Sequence, residues 1–238
     1  MVRGAAALLT APLLATAYFA VAPTLPDLGD GDGALLVADA IGLLAVGATV
    51  ASLVPAWRAQ RVQLLAIAAG AVATAVLNLA GVGALANVPE AVLAAGTGLF
   101  LAATLATPAV ALAVPLFVAA IDIWSVASGP TSRLVQSGRD PVDALSFDMP
   151  AWGGGTAGGL GITDAVFIAM FAGWAWRFGL RRRATLAGMA AGLLTALLLS
   201  VATHEAIPAL PLIAAGYLLP NVDRLVRRLR RGTSAQVG

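Results

Sequence analysis

The chain has 238 residues, of which 60% are hydrophobic and 11% charged, with a mean hydropathy of +0.90 and a formal net charge of +2. A soluble domain carries about a quarter charged residues, and no single core of this size hides so much apolar surface, so the exterior must be apolar as well. A soluble enzyme, a nucleic-acid binder and a disordered tail are thereby excluded. The absence of cysteine removes disulfides, thiolate metal sites and a cysteine nucleophile, and the single histidine, His204, is the only residue that could serve a Ser-His triad.

A helix needs about 20 mostly apolar residues to cross roughly 30 Å of hydrocarbon. By that measure the predicted spans are 4–23, 34–56, 62–81, 88–106, 108–128, 157–179, 184–203 and 206–221. The runs are long and unbroken, unlike the alternating ten-mers of a β-barrel. The 26 glycines, among many alanines, suit close approach of helices in lipid. The expected fold is an all-α integral membrane protein, a polytopic bundle of about eight transmembrane helices forming one domain over 1–238. Residues 1–22, ending in Ala20-Val21-Ala22, also read as a signal peptide, whose removal would leave seven spans.

All 14 basic residues are arginine. Arg3 precedes the first span, Arg58 and Arg61 follow the second, Arg181–Arg183 follow the sixth, and Arg224–Arg231 form a basic tail after the eighth. With both termini inside, every one of these clusters is cytoplasmic, as the positive-inside rule requires. The loop with Asp27, Asp30 and Asp32 and the long segment 129–156 then lie outside. No basic face is left over for nucleic acid.

Acids within spans are costly and are functional candidates. Glu90 and Glu205 are placed at span ends, within reach of headgroups, and Asp39 near an outer helix end reads as interhelical glue or as a carboxyl hydrated at the interface. Asp122 and Asp164 differ. One lies about six residues before the outer end of its predicted span and the other about seven after the outer start of the next, so both sit ~9–10 Å below the same face. Successive helices are usually neighbours. Two carboxyls meeting in a low-dielectric site share one proton. The charged one can then serve as general base on water while the protonated one polarises a peptide carbonyl, which is aspartic-protease chemistry.

Three segments carry a family resemblance. Gly158-Gly159-Leu160-Gly161-Ile162-Thr163-Asp164 resembles the GxGD segment of the presenilin and signal-peptide-peptidase intramembrane proteases. Ile121-Asp122-Ile123-Trp124 resembles their other aspartate segment, and Pro208-Ala209-Leu210 resembles their PAL motif, in the same order along the chain. The resemblance covers residues 108–221. Ile121 stands where the family has tyrosine, Thr163 where it has the second glycine, Ile207 where glutamine often precedes PAL, and eight helices are predicted where the family commonly has nine.

The resemblance implies a presenilin-like intramembrane aspartyl protease. Asp122 and Asp164 would be catalytic, and Gly159, Gly161, Thr163, Pro208, Ala209 and Leu210 would support the active site or bind substrate. No metal or cofactor is implied. The substrates would be transmembrane peptides or signal-peptide remnants, with membrane lipid the other partner. On this reading residues 1–106 are amino-terminal helices, 107–221 the catalytic helices, 129–156 an outer loop able to offer a strand to the substrate, and 222–238 a cytoplasmic tail. Trp152-Gly153-Gly154-Gly155 reads as a gate or as a plain loop-to-helix junction. A proton-coupled transporter using the same acids, or a catalytically silent presenilin-fold protein, are the competing readings.

Overall fold

The computed structural model describes residues 2–29, 31–128 and 146–234. Asp30 and residues 129–145 of the predicted outer loop 129–156 lie outside these residues. The chain is a mostly helical membrane protein. Among the described residues, five helical segments are long and apolar enough to cross a bilayer: Asp32–Ala56, Gln60–Leu79, Gly83–Thr104, Pro108–Ser128 and Arg182–Thr203. Large apolar side chains such as Leu65 (68% exposed) and Phe117 (65% exposed) point outward, as lipid-facing residues do.

Two compact units divide the chain, residues 1–100 with 142–170, and residues 101–141 with 171–238. The first unit begins with α1 (Val2–Val21) and α2 (Asp32–Leu53), each closed by a 3-10 turn carrying proline, Ala22–Thr24 and Val54–Ala56. They pack together, and the Tyr18 hydroxyl donates to the Ala38 carbonyl at 3.2 Å. α3 (Gln60–Leu79) and α4 (Gly83–Thr104) approach closely enough that a Cβ on Gly70 would lie 2.7 Å from the Leu93 nitrogen, and one on Gly96 2.9 Å from the Gln63 carbonyl.

A hairpin completes this unit. β1 (Ser146–Pro150) pairs antiparallel with β2 (Thr156–Gly161), with Phe147 opposite Leu160 and Met149 opposite Gly158. Its turn needs three successive positive φ values, +86°, +107° and +85°, at Gly153, Gly154 and Gly155, a conformation that side-chain-bearing residues rarely adopt. Phe147 and Met149 are fully buried, and Met149 fills the space that a side chain on Gly42 of α2 would take. The predicted span from 157 therefore begins as strand. α6 (Ile162–Arg177) takes over only at Ile162, and at 16 residues covers about 24 Å.

In the second unit, α5 (Pro108–Ser128) packs on α8 (Leu210–Leu218) and α9 (Val222–Ser234), while α7 (Arg182–Thr203) runs antiparallel to α8. Gly188 of α7 lies directly on Gly216 of α8, and Gly192 on Leu212, so the two backbones touch. Phe171, Trp174 and Tyr217 form an aromatic core, with Phe171 and Tyr217 stacked at 5.0 Å, and the Trp174 indole donates to the Leu105 carbonyl at 3.0 Å. The apolar run predicted as a span over 206–221 is a helix of nine residues, about 13 Å long. Proline at 208 and 211 confines its start, and Pro220 stands just past its end.

Candidate active site

Asp122 is half-buried on α5, and its Oδ2 accepts the backbone N–H of Leu210 at 3.0 Å. Leu210 opens α8, where the first N–H groups have no partner within the helix. The N-cap position is Ala209, which offers no side-chain acceptor, and Pro211 follows with no N–H of its own. Asp122 thus does from another helix what a capping side chain does locally, across 88 residues of sequence. The Pro208-Ala209-Leu210 segment and the first candidate aspartate are brought together. The Leu210 side chain is buried, and Pro208 and Ala209 are half-buried.

Asp164 stands in the first turn of α6, where the helix dipole favours negative charge. It is half-buried beside Gly161. A Cβ on Gly161 would lie 3.4 Å from both the Asp164 Oδ2 and the Thr163 Oγ1, so both side chains fold back over that glycine. Gly159 and Gly161 belong to β2 and not to a helix, so they shape a strand leading into the Asp164 turn. Asp164, Gly159, Gly161 and Thr163 lie in the first unit; Asp122 and Pro208-Ala209-Leu210 lie in the second.

The hydrogen bonding of the hairpin fixes which way β2 faces. The Asn87 side chain of α4 donates to the Asp148 carbonyl at 2.7 Å and accepts the Asp148 N–H at 3.0 Å. The main-chain groups of Asp148 therefore point away from β2. Antiparallel pairs alternate between bonded and non-bonded. The facing residue Gly159 and, two positions on, Gly161 accordingly direct their N–H and C=O away from β1.

Two further acids lie deeper than the sequence indicated. Asp39 is 7% exposed, set against Gly158 of β2, and its Oδ1 has no hydrogen-bond partner among the described residues. Glu90, expected to reach headgroups, is 3% exposed instead. α4 starts five residues earlier than the predicted span, which moves Glu90 into the helix. Its Oε1 accepts weakly from Asn78 at 3.5 Å, and its Oε2 is unpartnered among the described residues. Asn87 was not singled out. The signal was there, since Asn87 and Glu90 sit three apart in an otherwise apolar run and so share one helix face.

No family model matches this chain, and no curated protein matches it. The presenilin-like motifs stand on their own residues.

Proposed function

We propose that this chain is an intramembrane aspartyl protease of the presenilin and signal-peptide-peptidase kind, with Asp122 and Asp164 as its two acids. The observation that carries the reading is the hydrogen bond from Leu210 N–H to Asp122, because it joins two of the three motif segments in one place. The Asp122 Oδ1 lies outside that bond and is the oxygen offered to water or to a shared proton.

In the proposed reaction one ionised carboxylate takes a proton from water. The other, protonated, donates to the scissile carbonyl and later to the leaving amine. The substrate helix must unwind first, since its peptide bonds are engaged in its own hydrogen bonds. The outward main-chain groups of Gly159 and Gly161 offer an edge on which an unwound peptide can add as a strand, just ahead of Asp164. By the positive-inside rule Arg181–Arg183 and the tail arginines favour a cytoplasmic carboxy terminus, and on that orientation the acids open to the opposite face. Substrates would then be helices with their amino terminus inside, such as signal-peptide remnants.

The test uses the purified chain in bilayers with a membrane-spanning reporter peptide. Asp122→Asn and Asp164→Asn should each abolish cleavage, and Asp39→Asn should retain it. Because the chain lacks cysteine, an Asp122→Cys, Asp164→Cys double variant can be oxidised without background. Disulfide formation would require Cα atoms about 4.4–6.8 Å apart. Persistent cleavage in either single variant, or no disulfide under oxidation, overturns the dyad.

The unpartnered oxygens of Asp39 and Glu90 favour a second reading, a proton-coupled carrier. Proton-driven uptake that Glu90→Gln abolishes, in a protein that cleaves nothing, would establish it.

A further inference from the structure

The end of the second unit that carries Arg181 holds an arginine-lined cavity. It is an open hollow of about 260 Å³ lined by Gly179, Arg224, Arg227 and Arg228. We infer that this cavity binds the phosphate group of an anionic membrane lipid. The inference is independent of the protease reading.

The charges leave a surplus. Arg181 donates to both carboxylate oxygens of Asp223, at 2.6 and 3.1 Å, and to the Pro220 carbonyl, and Arg227 donates to Asp223 Oδ2 at 2.6 Å. Asp223 is thus shared by two arginines. Arg224 spends one guanidinium nitrogen on the Gly179 carbonyl, at 2.9 Å, which aims the rest of its planar fork along the cavity wall. The Arg228 guanidinium lies beside Gly179, 3.5 Å from where a Cβ on that glycine would be. No ion pair to Arg224 or Arg228 exists among the described residues. Four cations face one carboxylate, and the guanidinium fork suits the oxygens of a phosphate.

Position selects the lipid over a soluble anion. α7 is long and apolar enough to span the bilayer, and it begins at Arg182, next to the Arg181–Asp223 pair, so this end of the unit lies at the membrane boundary. Arg182 lies over the Trp176 ring at 5.0 Å, an aromatic at the level where indoles favour the interface. α9 buries Leu225 fully, half-buries Arg224 and exposes Val222, Arg227, Arg228 and Arg230, the pattern of a helix lying along the headgroup layer. Arg224, Arg227 and Arg228 recur at helical spacing, so one face of α9 meets the phosphates. A volume of about 260 Å³ leaves room for a phosphodiester with some of its hydration.

The full chain in nanodiscs of phosphatidylcholine doped with phosphatidylglycerol provides the test, with bound lipid counted by native mass spectrometry. Arg228→Gln and Arg224→Gln should each weaken retention of phosphatidylglycerol about tenfold, the loss expected when a charge-assisted hydrogen bond to a phosphate is removed. Arg183→Gln removes the same charge from the same end of α7 outside the cavity, and should leave retention unchanged. Equal losses in Arg183→Gln and Arg228→Gln would mean a diffuse basic surface and overturn the site. Unchanged retention in the cavity variants would do the same. Displacement of the lipid by millimolar inorganic phosphate would assign the cavity to a soluble anion and overturn the lipid assignment.

Discussion

At Asp122 a single oxygen holds an otherwise orphaned N–H, so substitutions there separate structure from chemistry. Asn keeps a carbonyl oxygen for Leu210 and loses only the acid. Ala leaves the N–H at the head of α8 without an acceptor, costing about 1–3 kcal/mol. Asp122→Asn should therefore match the parent in denaturant unfolding while failing to cleave, and Asp122→Ala should also unfold earlier. Equal stability for both would remove the hydrogen bond from the account. Gly158 poses a second question at this scale. A Cβ there would sit 2.6 Å from the Asp39 Oδ2, and both residues are confined between α2 and the hairpin. Gly158→Ala should cost about 1–3 kcal/mol, and most of that cost should vanish when Asp39→Ala is present too. Unfolding curves for the four members of that double-mutant cycle decide it. How far such contacts could be read beforehand differs sharply. The family resemblance grouped Asp122 with Pro208-Ala209-Leu210, and the Leu210 N–H bonds Asp122. Nothing local indicated that Asn87 would bind the main chain of Asp148, 61 residues away.

Among the elements, the long helices were legible because twenty apolar residues admit few alternatives. The hairpin was not. Thr156–Gly161 is as apolar as a span start, and hydropathy does not distinguish a glycine strand from a glycine helix; only the three glycines at 153–155, with their positive φ, hold the reversal. α8 was overestimated for a similar reason, because hydropathy continues through Pro208 and Pro220 while helical hydrogen bonding does not. The α7–α8 contact makes a sharp prediction. A methyl on Gly216 would collide with the Gly188 backbone, which has no flexible tip to move aside. Gly216→Ala should destabilise by about 1–3 kcal/mol or more and, by shifting Leu210, lower activity as well. Gly47→Ala, on α2 with open space around it, should be neutral or stabilising. Titration with a denaturing detergent ranks the two. The tie between the α7 start and α9 responds to pH. Hydrogen bonding to Arg181 is the main cause that lowers the Asp223 carboxyl from the ordinary 3.8 to about 2. A depressed carboxyl stabilises the fold above its unfolded value and loses that contribution as pH falls from about 4 through about 2. The parent should lose more thermal stability than Asp223→Asn across that window, and parallel melting curves would show the pair to be without consequence. Arg181 and Asp223 are both solvent-exposed, so the difference should be small.

For the whole molecule, the arginines make the prediction. Arg181–Arg183 and Arg224–Arg231 sit together at one end of the second unit, as the Arg181–Asp223 pair shows, and eight arginines dominate the choice of side. A reporter fused at Gly238 should be active only in the cytoplasm, and one inserted in 129–145 only outside. A carboxy terminus on the outer side would reverse both the orientation and the class of substrate proposed. That α7 and α9 meet at this end was not evident from charge alone. It follows from Asn221, which bonds Thr185 at 2.7 Å and the Arg181 N–H at 2.9 Å.

The brevity of α8 has a further consequence for the surrounding lipid. Between His204, whose left-handed conformation at φ +53° closes α7, and Leu210, five residues run outside any helix, and His204, Glu205 and Ala206 are exposed. Backbone of this kind is not tolerated against hydrocarbon; it must be hydrated or covered by protein. A bilayer that meets it has to thin locally, drawing headgroups and water down toward the level of Asp122. Under the proposed protease reading, hydrophobic mismatch would then govern turnover, because a shorter acyl chain lowers the cost of that thinning. Cleavage should be faster in vesicles of short-chain than of long-chain phosphatidylcholine at equal fluidity, with water delivered to the acid through deformation of the membrane as much as through any channel in the protein.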